Sequence, residues 1–596
     1  MIKLSDYVIK RLEEVGTGHM FMLPGGGAMH LNDSLGNSER IKYVVCLHEQ
    51  ACSIAAEAYA RVTNKPGLLM VTTGPGGTNA ITGVAGAYIE STPMIVISGQ
   101  VKRLDQIRKQ GIRQQGMQEV DIVSIVKPIT KYAAMVDEPE SIAYHMDRAI
   151  YEATTCRPGP VWLDIPLDVQ ATMIDEQTLE RWHPEEKPAD ITEEKLNSIV
   201  VDIIKRLNES ERPALLAGNG IRLAEARNEF TRLVEVLDIP VLTTWNGIDL
   251  IEEEHPLFFG RPGGMGQRYA NFVQQNSDMF ISIGARMNLL QTGYNFDGFA
   301  PNAYKVMVDI DENELHKINV RPDMPIACDA KRFISCLLAH KAEIKRMGRK
   351  PWLEFAQKMK KRYPIVQESY RKQTDKVNTY LLLDTITNQM NGDDVYVSGS
   401  SGTCIDVSMQ TFRVKRGQRV FCTKGLASMG FGLPASIGAA LASSKRTVLV
   451  NGDGGFQMNI QELETVRRLN LPIKVFVLCN RGYAQIHATQ KNVFAGHYVA
   501  CDETSELSMP SISDIAKAYK LKTEIIYSNE ELADKVAAVL NEDGPVICEV
   551  QVPIDLAAQP KQVSFKNEHG QMESMPLQYM NPMLSDDEMK ECMPEW

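Results

Sequence analysis

Asp453 and Asn480 stand 27 residues apart, each directly after a run that reads as a buried strand. The first run, RTVLVNG, passes into Asn451-Gly452-Asp453-Gly454-Gly455. The second, IKVFVLCN, passes into Cys479-Asn480-Arg481-Gly482-Tyr483. Both residues therefore fall at the C-terminal ends of successive strands, where open α/β sheets take their ligands. A carboxylate, an amide carbonyl and the backbone carbonyl of Gly482 are hard oxygen donors. That set suits Mg2+, which binds one or two carboxylates and leaves its other positions to phosphate oxygens. Gly452, Gly454 and Gly455 let backbone N–H groups approach an anion closely, and the helix expected next points its positive end at the same place. A lone Gly-Asp-Gly is as readily a plain tight turn. The strand–helix–strand context and the second motif lift this one above that reading, with Asp453, Asn480 and Gly482 as the metal ligands.

A second chemical position is Glu49, where the strand YVVCL ends and the alanine-rich helix QACSIAAEAYARVTN begins; that helix stops at Asn64-Lys65-Pro66. As a plain helix-terminal charge Glu49 stabilises by about 0.3–1 kcal/mol. As a functional group, a glutamate shielded from water can exchange a proton with a weak base.

Three blocks repeat the elements that must position these residues: apolar strand, glycine turn, amphipathic helix. Strands alternating with helices predict an α/β protein of three doubly wound parallel-sheet domains. The expected bounds are 1–180, 190–345 and 370–555, with residues 556–596 as a tail or lid. A charged, proline-containing connector (183–195) separates the first two blocks, and a basic helical stretch (MKKRYP) precedes the third. Of the 596 residues, 44% are apolar and 23% charged, and the net charge of −11 is spread without long single-sign runs. That excludes the basic stripe of a nucleic-acid surface. No run approaches the roughly 20 apolar residues of a membrane helix, and the amphipathic N-terminus lacks a signal-peptide core. Eleven scattered cysteines without a CxxC pair fit a cytoplasmic protein with reduced thiols.

The Asp453–Tyr483 segment resembles the GDG…NN signature of thiamine diphosphate enzymes, with Cys479 in place of the usual first Asn. HEQACSIAAEAYARV through MIVISGQ, and more loosely residues 1 to about 555, resemble the acetohydroxyacid (acetolactate) synthases. That resemblance implies three domains of the pyruvate oxidase/decarboxylase type, with thiamine diphosphate and Mg2+ as cofactors. It makes Glu49 the partner of the pyrimidine N1′ and puts the TTGPGGTN turn (Thr73, Pro75, Asn79) beside the pyrimidine. In KGLASMGFGLPASIGAA it makes Met429 the bulky residue that bends the cofactor and Ala427 the carbonyl donor to N4′, a position where the family commonly has Gly. Gly402 and Thr403 of SGTC, with Gly454, Gly455 and Tyr483, are implied on the diphosphate side. GMQEVD makes Gln118 a donor-pocket residue. Arg157, Gly218, Gly220, Gly284, Arg286 and Asp309 match pieces of the synthase FAD domain, which implies FAD without a redox task. The resemblance also implies a homo-oligomer, a dimer at least, with active sites at the dimer interface.

The acceptor side departs from the synthases. They carry an arginine just after GARFDD; here GARMNLLQTGYNFDGFA has none, and the position falls near Leu290. Thr489 stands where many synthases have tryptophan, Gln485 and His487 make that loop more polar, and IPLDV has Leu167 for the family's lysine. A carboxylate wants a fixed bidentate cation. The reading that follows is a carboligase that decarboxylates a 2-oxoacid such as pyruvate and adds the two-carbon fragment to a carbonyl acceptor. A keto-sugar nucleotide, as in the yersiniose-type branch, is the acceptor this favours. The alternatives are an acetolactate synthase using a second 2-oxoacid, and a decarboxylase or C–C hydrolase without ligation. A non-catalytic scaffold is disfavoured by the intact Glu49, Asp453 and Asn480.

Overall fold

The computed structural model describes residues 1–107, 111–185, 191–345, 349–373 and 375–596. Residues 186–190 of the expected connector lie outside this set. The first sheet contains β1 (His19–Met22), β2 (Lys42–Val45), β3 (Gly67–Val71), β4 (Met94–Gln100), β5 (Tyr132–Met135) and β6 (Pro160–Pro166), ordered 2-1-3-4-6-5. The central sheet contains β7 (Pro213–Ala217), β8 (Val241–Thr243), β9 (Met279–Ile283), β10 (Tyr304–Asp309) and β11 (Met324–Ala327), ordered β8-β7-β9-β10-β11. The third contains β12 (Val395–Ser398), β13 (Arg419–Phe421), β14 (Thr447–Gly452), β15 (Ile473–Cys479), β16 (Lys522–Ile526) and β17 (Val546–Gln551). Its order, β13-β12-β14-β15-β17-β16, repeats that of the first sheet. Every pairing in the three sheets is parallel. Parallel strands are covered on both faces, so they read as unbroken apolar runs; all five residues of β3 are buried.

Helix α1 (Glu49–Thr63) begins after His48, whose Nδ1 accepts from the Gln50 N–H, and ends on Asn64 in the left-handed conformation. Its alanines leave a smooth surface that three glycines approach. A Cβ added to Gly67 would lie 2.1 Å from the Ala56 carbonyl oxygen, one on Gly83 2.2 Å from Ser53 Oγ, and one on Gly438 2.0 Å from the Ala55 carbonyl oxygen. Gly83 belongs to α2 (Pro75–Ile89) and Gly438 to α3 (Gly432–Ser443). The helix that starts at Glu49 is thereby pressed against its own sheet and against the third domain. One apolar core runs through both, from Phe21 and Trp162 to Val397 and Val475.

The last segment is folded onto the central domain. Lys561–Gln562 pairs with Met580–Asn581, Ser564–Lys566 with Met572–Ser574, and a helix spans Asp586–Cys592. Asn271 Nδ2 donates to the Leu577 carbonyl and Asn276 Nδ2 to the Cys592 carbonyl, both at 2.9 Å, and Trp596 meets Trp352 edge-on. This cover accounts for the helix Arg268–Asn276, buried at all nine positions despite its polar sequence. No helix among the described residues is long and apolar enough to cross a membrane.

Substituting Gly438→Ala is expected to destabilise the protein by about 1–3 kcal/mol, the usual cost of overpacking. A thermal melt checks this; an unchanged melting temperature would mean that α1 and α3 are not in close contact.

Candidate functional site

β14 and β15 are neighbours, with Asn451 opposite Val477 and Gly452 opposite Leu478. Asp453 and Asn480 therefore emerge side by side at adjacent strand ends, which lie about 4.8 Å apart. Asp453 is 2% exposed. Its carboxylate accepts from the N–H groups of Gly454 (2.8 Å) and Arg481 (2.7 Å), so the two loops are tied together at this group. Burial pushes the Asp453 carboxyl up to about 6, against the pull of those N–H donors. Asn480 Oδ1 accepts from the Gly482 N–H at 3.0 Å. Gly454 has to be glycine, because a Cβ there would lie 2.5 Å from the Tyr483 ring.

Gly402, with φ of +65°, caps the helix Thr403–Thr411 at the end of the neighbouring β12. Ser398 Oγ and Asn451 Nδ2, at the ends of β12 and β14, are buried without a partner among the described residues. Ala427 holds φ of +55° and precedes the half-buried Met429. A non-glycine residue in that region costs of order 1–3 kcal/mol, and such strain clusters at functional sites. Among the described residues no three His, Cys, Asp or Glu converge on one point. A cation at Asp453 thus depends on the carbonyl donors and on oxygens brought by a phosphate-bearing ligand, which is the chemistry of Mg2+.

In the first domain, Glu49 is 6% exposed and its Oε2 accepts from Asn79 Nδ2 at 3.0 Å. Asn79 lies in the second turn of α2, whose first residue is Pro75. Thr73 Oγ1 donates to the Gly99 carbonyl at 3.2 Å and fixes the start of that turn. Gln118 is exposed, with φ of +66°, and its carbonyl fills the space a side chain on Gly74 would need. The structure thus gathers Glu49, Thr73, Pro75, Asn79 and Gln118 into one cluster and Gly402, Thr403, Asp453, Asn480 and Gly482 into another. The Gln118 loop is anchored from below. Gln100 Nε2 donates to the Val120 carbonyl and to Asp164 Oδ2, both at 2.9 Å, and Ser98 Oγ donates to Asp164 Oδ1 at 2.5 Å. Sequence reasoning missed Gln100 and Asp164; an acid inside the apolar run PVWLDIP was the available signal.

Between the domains lies a cavity of about 1210 Å³, counted with its open mouth. Arg157, Gly220, Gly284, Arg286 and Asp309 line it, as does Leu290. Gly218 does not; it is packed beneath, where a Cβ would lie 2.1 Å from the Gly284 carbonyl oxygen. The cavity opens at the C-terminal ends of β7, β9 and β10, the place where such sheets bind nucleotides. Its cations are each matched: Arg157 by Asp311 (2.8 Å) and Glu314 (2.7 Å), Lys424 by Asp406 (2.9 Å), and Arg286 by Glu90 (4.0 Å). His487, which the sequence suggested as a polar loop group, is instead buried. It stacks on Tyr498 at 4.2 Å, between Asp502 and Asp555. Thr489 Oγ1 donates back to the Gln485 carbonyl. Gln485 is exposed, and its Cβ lies 4.0 Å from where a Gly402 side chain would begin.

Comparison with known proteins matches three family models: thiamine pyrophosphate enzyme, N-terminal TPP binding domain (residues 2–125), central domain (200–337) and C-terminal TPP binding domain (401–550). The chain is 32% identical over 573 residues to a probable acetolactate synthase large subunit of Methanocaldococcus jannaschii, covering 92% of each chain. It is 33% identical to the acetolactate synthase large subunit of Lactococcus lactis, again over 92% of each. It is 31% identical to acetolactate synthase 2, chloroplastic, of Zea mays, over 92% of this chain and 85% of the maize protein.

Burial pushes the Asp164 carboxyl up to about 7, against the donors Ser98 and Gln100. A carboxyl raised on folding contributes stability below its ordinary range and loses it as pH rises from about 4 to about 7. Asp164→Asn should therefore flatten the fall of the denaturant midpoint across that window; an unaltered slope would show that Asp164 does not titrate there.

Proposed function

The chain belongs to the thiamine pyrophosphate enzymes of the acetolactate synthase-like kind, and we propose that it decarboxylates a 2-oxoacid, pyruvate first, and transfers the two-carbon fragment to a carbonyl acceptor. The observation that carries this is the pairing of Asp453 with Asn480 at adjacent strand ends, joined by the Arg481 N–H. Asp453, Asn480 and the Gly482 carbonyl would hold Mg2+, and Gly402, Thr403 and Gly455 would present backbone N–H groups to the diphosphate, the Gly454 N–H being held by Asp453. When bound, thiamine diphosphate supplies a thiazolium carbon that adds to carbonyls and stores the electron pair left by lost CO2. Glu49, oriented by Asn79, holds a proton at the pyrimidine N1′. Ala427 would offer its carbonyl to the aminopyrimidine, and Met429 would pack against that ring. Gln118 orients the donor acid. FAD fits the interdomain cavity, with Asp309 at the end of β10 placed for a ribose and Arg157 and Arg286 for phosphates.

Two parts of one site come from different subunits in this reading. They are Glu49 of one chain and the Asp453–Asn480 pair of the other, as the sequence resemblance implies. The exposed Leu104, Met117, Phe494 and Val499 supply apolar surface for the partner.

The names of the relatives favour a second 2-oxoacid as acceptor, making acetolactate the first product to test. A second reading, a neutral ketone such as a keto-sugar nucleotide, is favoured by Leu290 at the acceptor position and by the paired state of the cavity's Arg157, Arg286 and Lys424. A carboxylate there would have to share a cation already paired with an acid. Mass spectrometry of products from pyruvate, alone and with a panel of ketones, separates the readings. Acetolactate from pyruvate alone supports the first, a new branched product with a ketone supports the second, and free aldehyde without ligation refutes both.

Glu49→Gln should reduce turnover at least 100-fold, the scale of lost acid–base catalysis, while calorimetry still detects thiamine diphosphate and Mg2+ binding. Mixing Glu49→Gln with Asp453→Ala protomers should restore about a quarter of wild-type activity on reassortment of a two-fold dimer. No recovery would place both groups in one chain.

A further inference from the structure

A carboxylate that the chemistry above uses only as the partner of Arg286 lies where all three domains meet. Glu90 caps the C-terminus of α2 and is 9% exposed. Its Oε1 accepts from the Gly425 N–H at 2.8 Å, and its Oε2 accepts from Asn246 Nδ2 at 3.0 Å. Asn246 in turn takes the Cys422 N–H on its Oδ1 at 3.3 Å. One acid of the first domain and one amide of the central domain thereby hold residues 422–425 of the third. The fit is close, since a Cβ on Gly425 would lie 2.4 Å from Ile89 and 2.7 Å from Glu90 Oε1. Two residues further on, Ala427 sits in its strained left-handed conformation, and Asn459 Nδ2 fixes the Gly430 carbonyl at 2.8 Å on the far side. Strain of this kind persists only where the surroundings over-determine the backbone, and Glu90 and Asn459 are the two side chains that grip the segment from either end.

The charge on Glu90 is secured by that grip and by two arginines together. Burial alone would raise its carboxyl, but Arg61, Arg286 and the N–H groups of Gly425 and Lys424 hold it below the usual carboxylate range. Arg61 has a second acid in Glu57, at 2.6 Å, and donates to the Cys422 carbonyl at 2.7 Å. Arg61 therefore keeps a partner when Glu90 is changed.

We propose that Glu90 is a positioning residue for thiamine diphosphate: by accepting the Gly425 N–H it sets the backbone of residues 425–429, so that the Ala427 carbonyl and Met429 stand ready for the aminopyrimidine. This rests on the reading that Ala427 and Met429 meet that ring. Glu90 also lines the interdomain cavity beside Arg286, but it does not itself touch thiamine diphosphate. Its role is to lower the ordering cost of the segment before binding, which shows in affinity.

The test is calorimetric titration of the apoprotein with thiamine diphosphate in excess Mg2+, for wild type, Glu90→Ala, Glu90→Gln and Asn246→Ala. Glu90→Ala should weaken binding at least tenfold. Glu90→Gln keeps a carbonyl for the Gly425 N–H and should restore affinity to within about threefold of wild type, although it removes the charge. Asn246→Ala, which frees the Cys422 N–H and leaves every charge in place, should weaken binding severalfold; it stands in if Glu90→Ala fails to fold. In Glu90→Ala the KM for the 2-oxoacid at saturating cofactor should stay unchanged. Equal affinity of Glu90→Ala and wild type overturns the proposal, as does a Glu90→Gln variant as weak as Glu90→Ala. If Glu90→Ala does not fold, wild-type affinity in Asn246→Ala overturns it too. Wild type that binds no thiamine diphosphate refutes the functional reading itself, a separable result.

Discussion

The structure depends on one steric fact, that glycines of two other elements meet the backbone of α1 at Ala55 and Ala56. Carbonyl oxygens of Ala55 and Ala56 lie where side chains on Gly438 and Gly67 would have to be. Such contact is available only to glycine against small residues, and a single added methyl forces a shift in a close-packed interior. Because α1 starts at Glu49, this packing decides where the glutamate points. Because α3 belongs to the third domain, the same packing decides how the two outer sheets are held. Backbone contact at these glycines, together with one shared apolar core, joins the domain carrying Glu49 to the domain carrying Asp453.

The two outer sheets share one strand order, 2-1-3-4-6-5, and each carries its proposed site residues at the C-terminal ends of its strands. In the third domain these ends present backbone N–H groups and one buried carboxylate, suited to a diphosphate and a cation. In the first they present Glu49 and the Thr73–Asn79 turn, suited to an aromatic base. The same architecture thus yields two complementary halves, distinguished only by the residues at the strand ends.

The central domain adds a cavity whose charge is already balanced. Arg157 is held by Asp311 and Glu314, and Lys424 by Asp406. Partly buried ion pairs of this kind contribute little net stability, but they fix the orientation of groups lining a cavity. Leu290 lines the same cavity as these paired cations.

The sequence by itself determined the three parallel sheets, the start of α1 at Glu49 and its end at Asn64, and the Asp453–Asn480 pair. These depend on local signals: unbroken apolar runs, a Pro stop, and glycines beside oxygen donors at strand ends. Short strands such as β1 (HMFM) and β5 (YAAM), the latter half-buried throughout, carried too little pattern to be read. The tertiary structure alone decided that His487 is stacked under Tyr498 rather than lining a pocket. It also decided that Gly218 supports the cavity instead of facing it, that Gln100 and Asp164 anchor the Gln118 loop, and that Glu90 grips Gly425. Each of these is a contact between residues far apart in the chain. Its existence depends on how packed elements meet, and no local periodicity encodes that meeting.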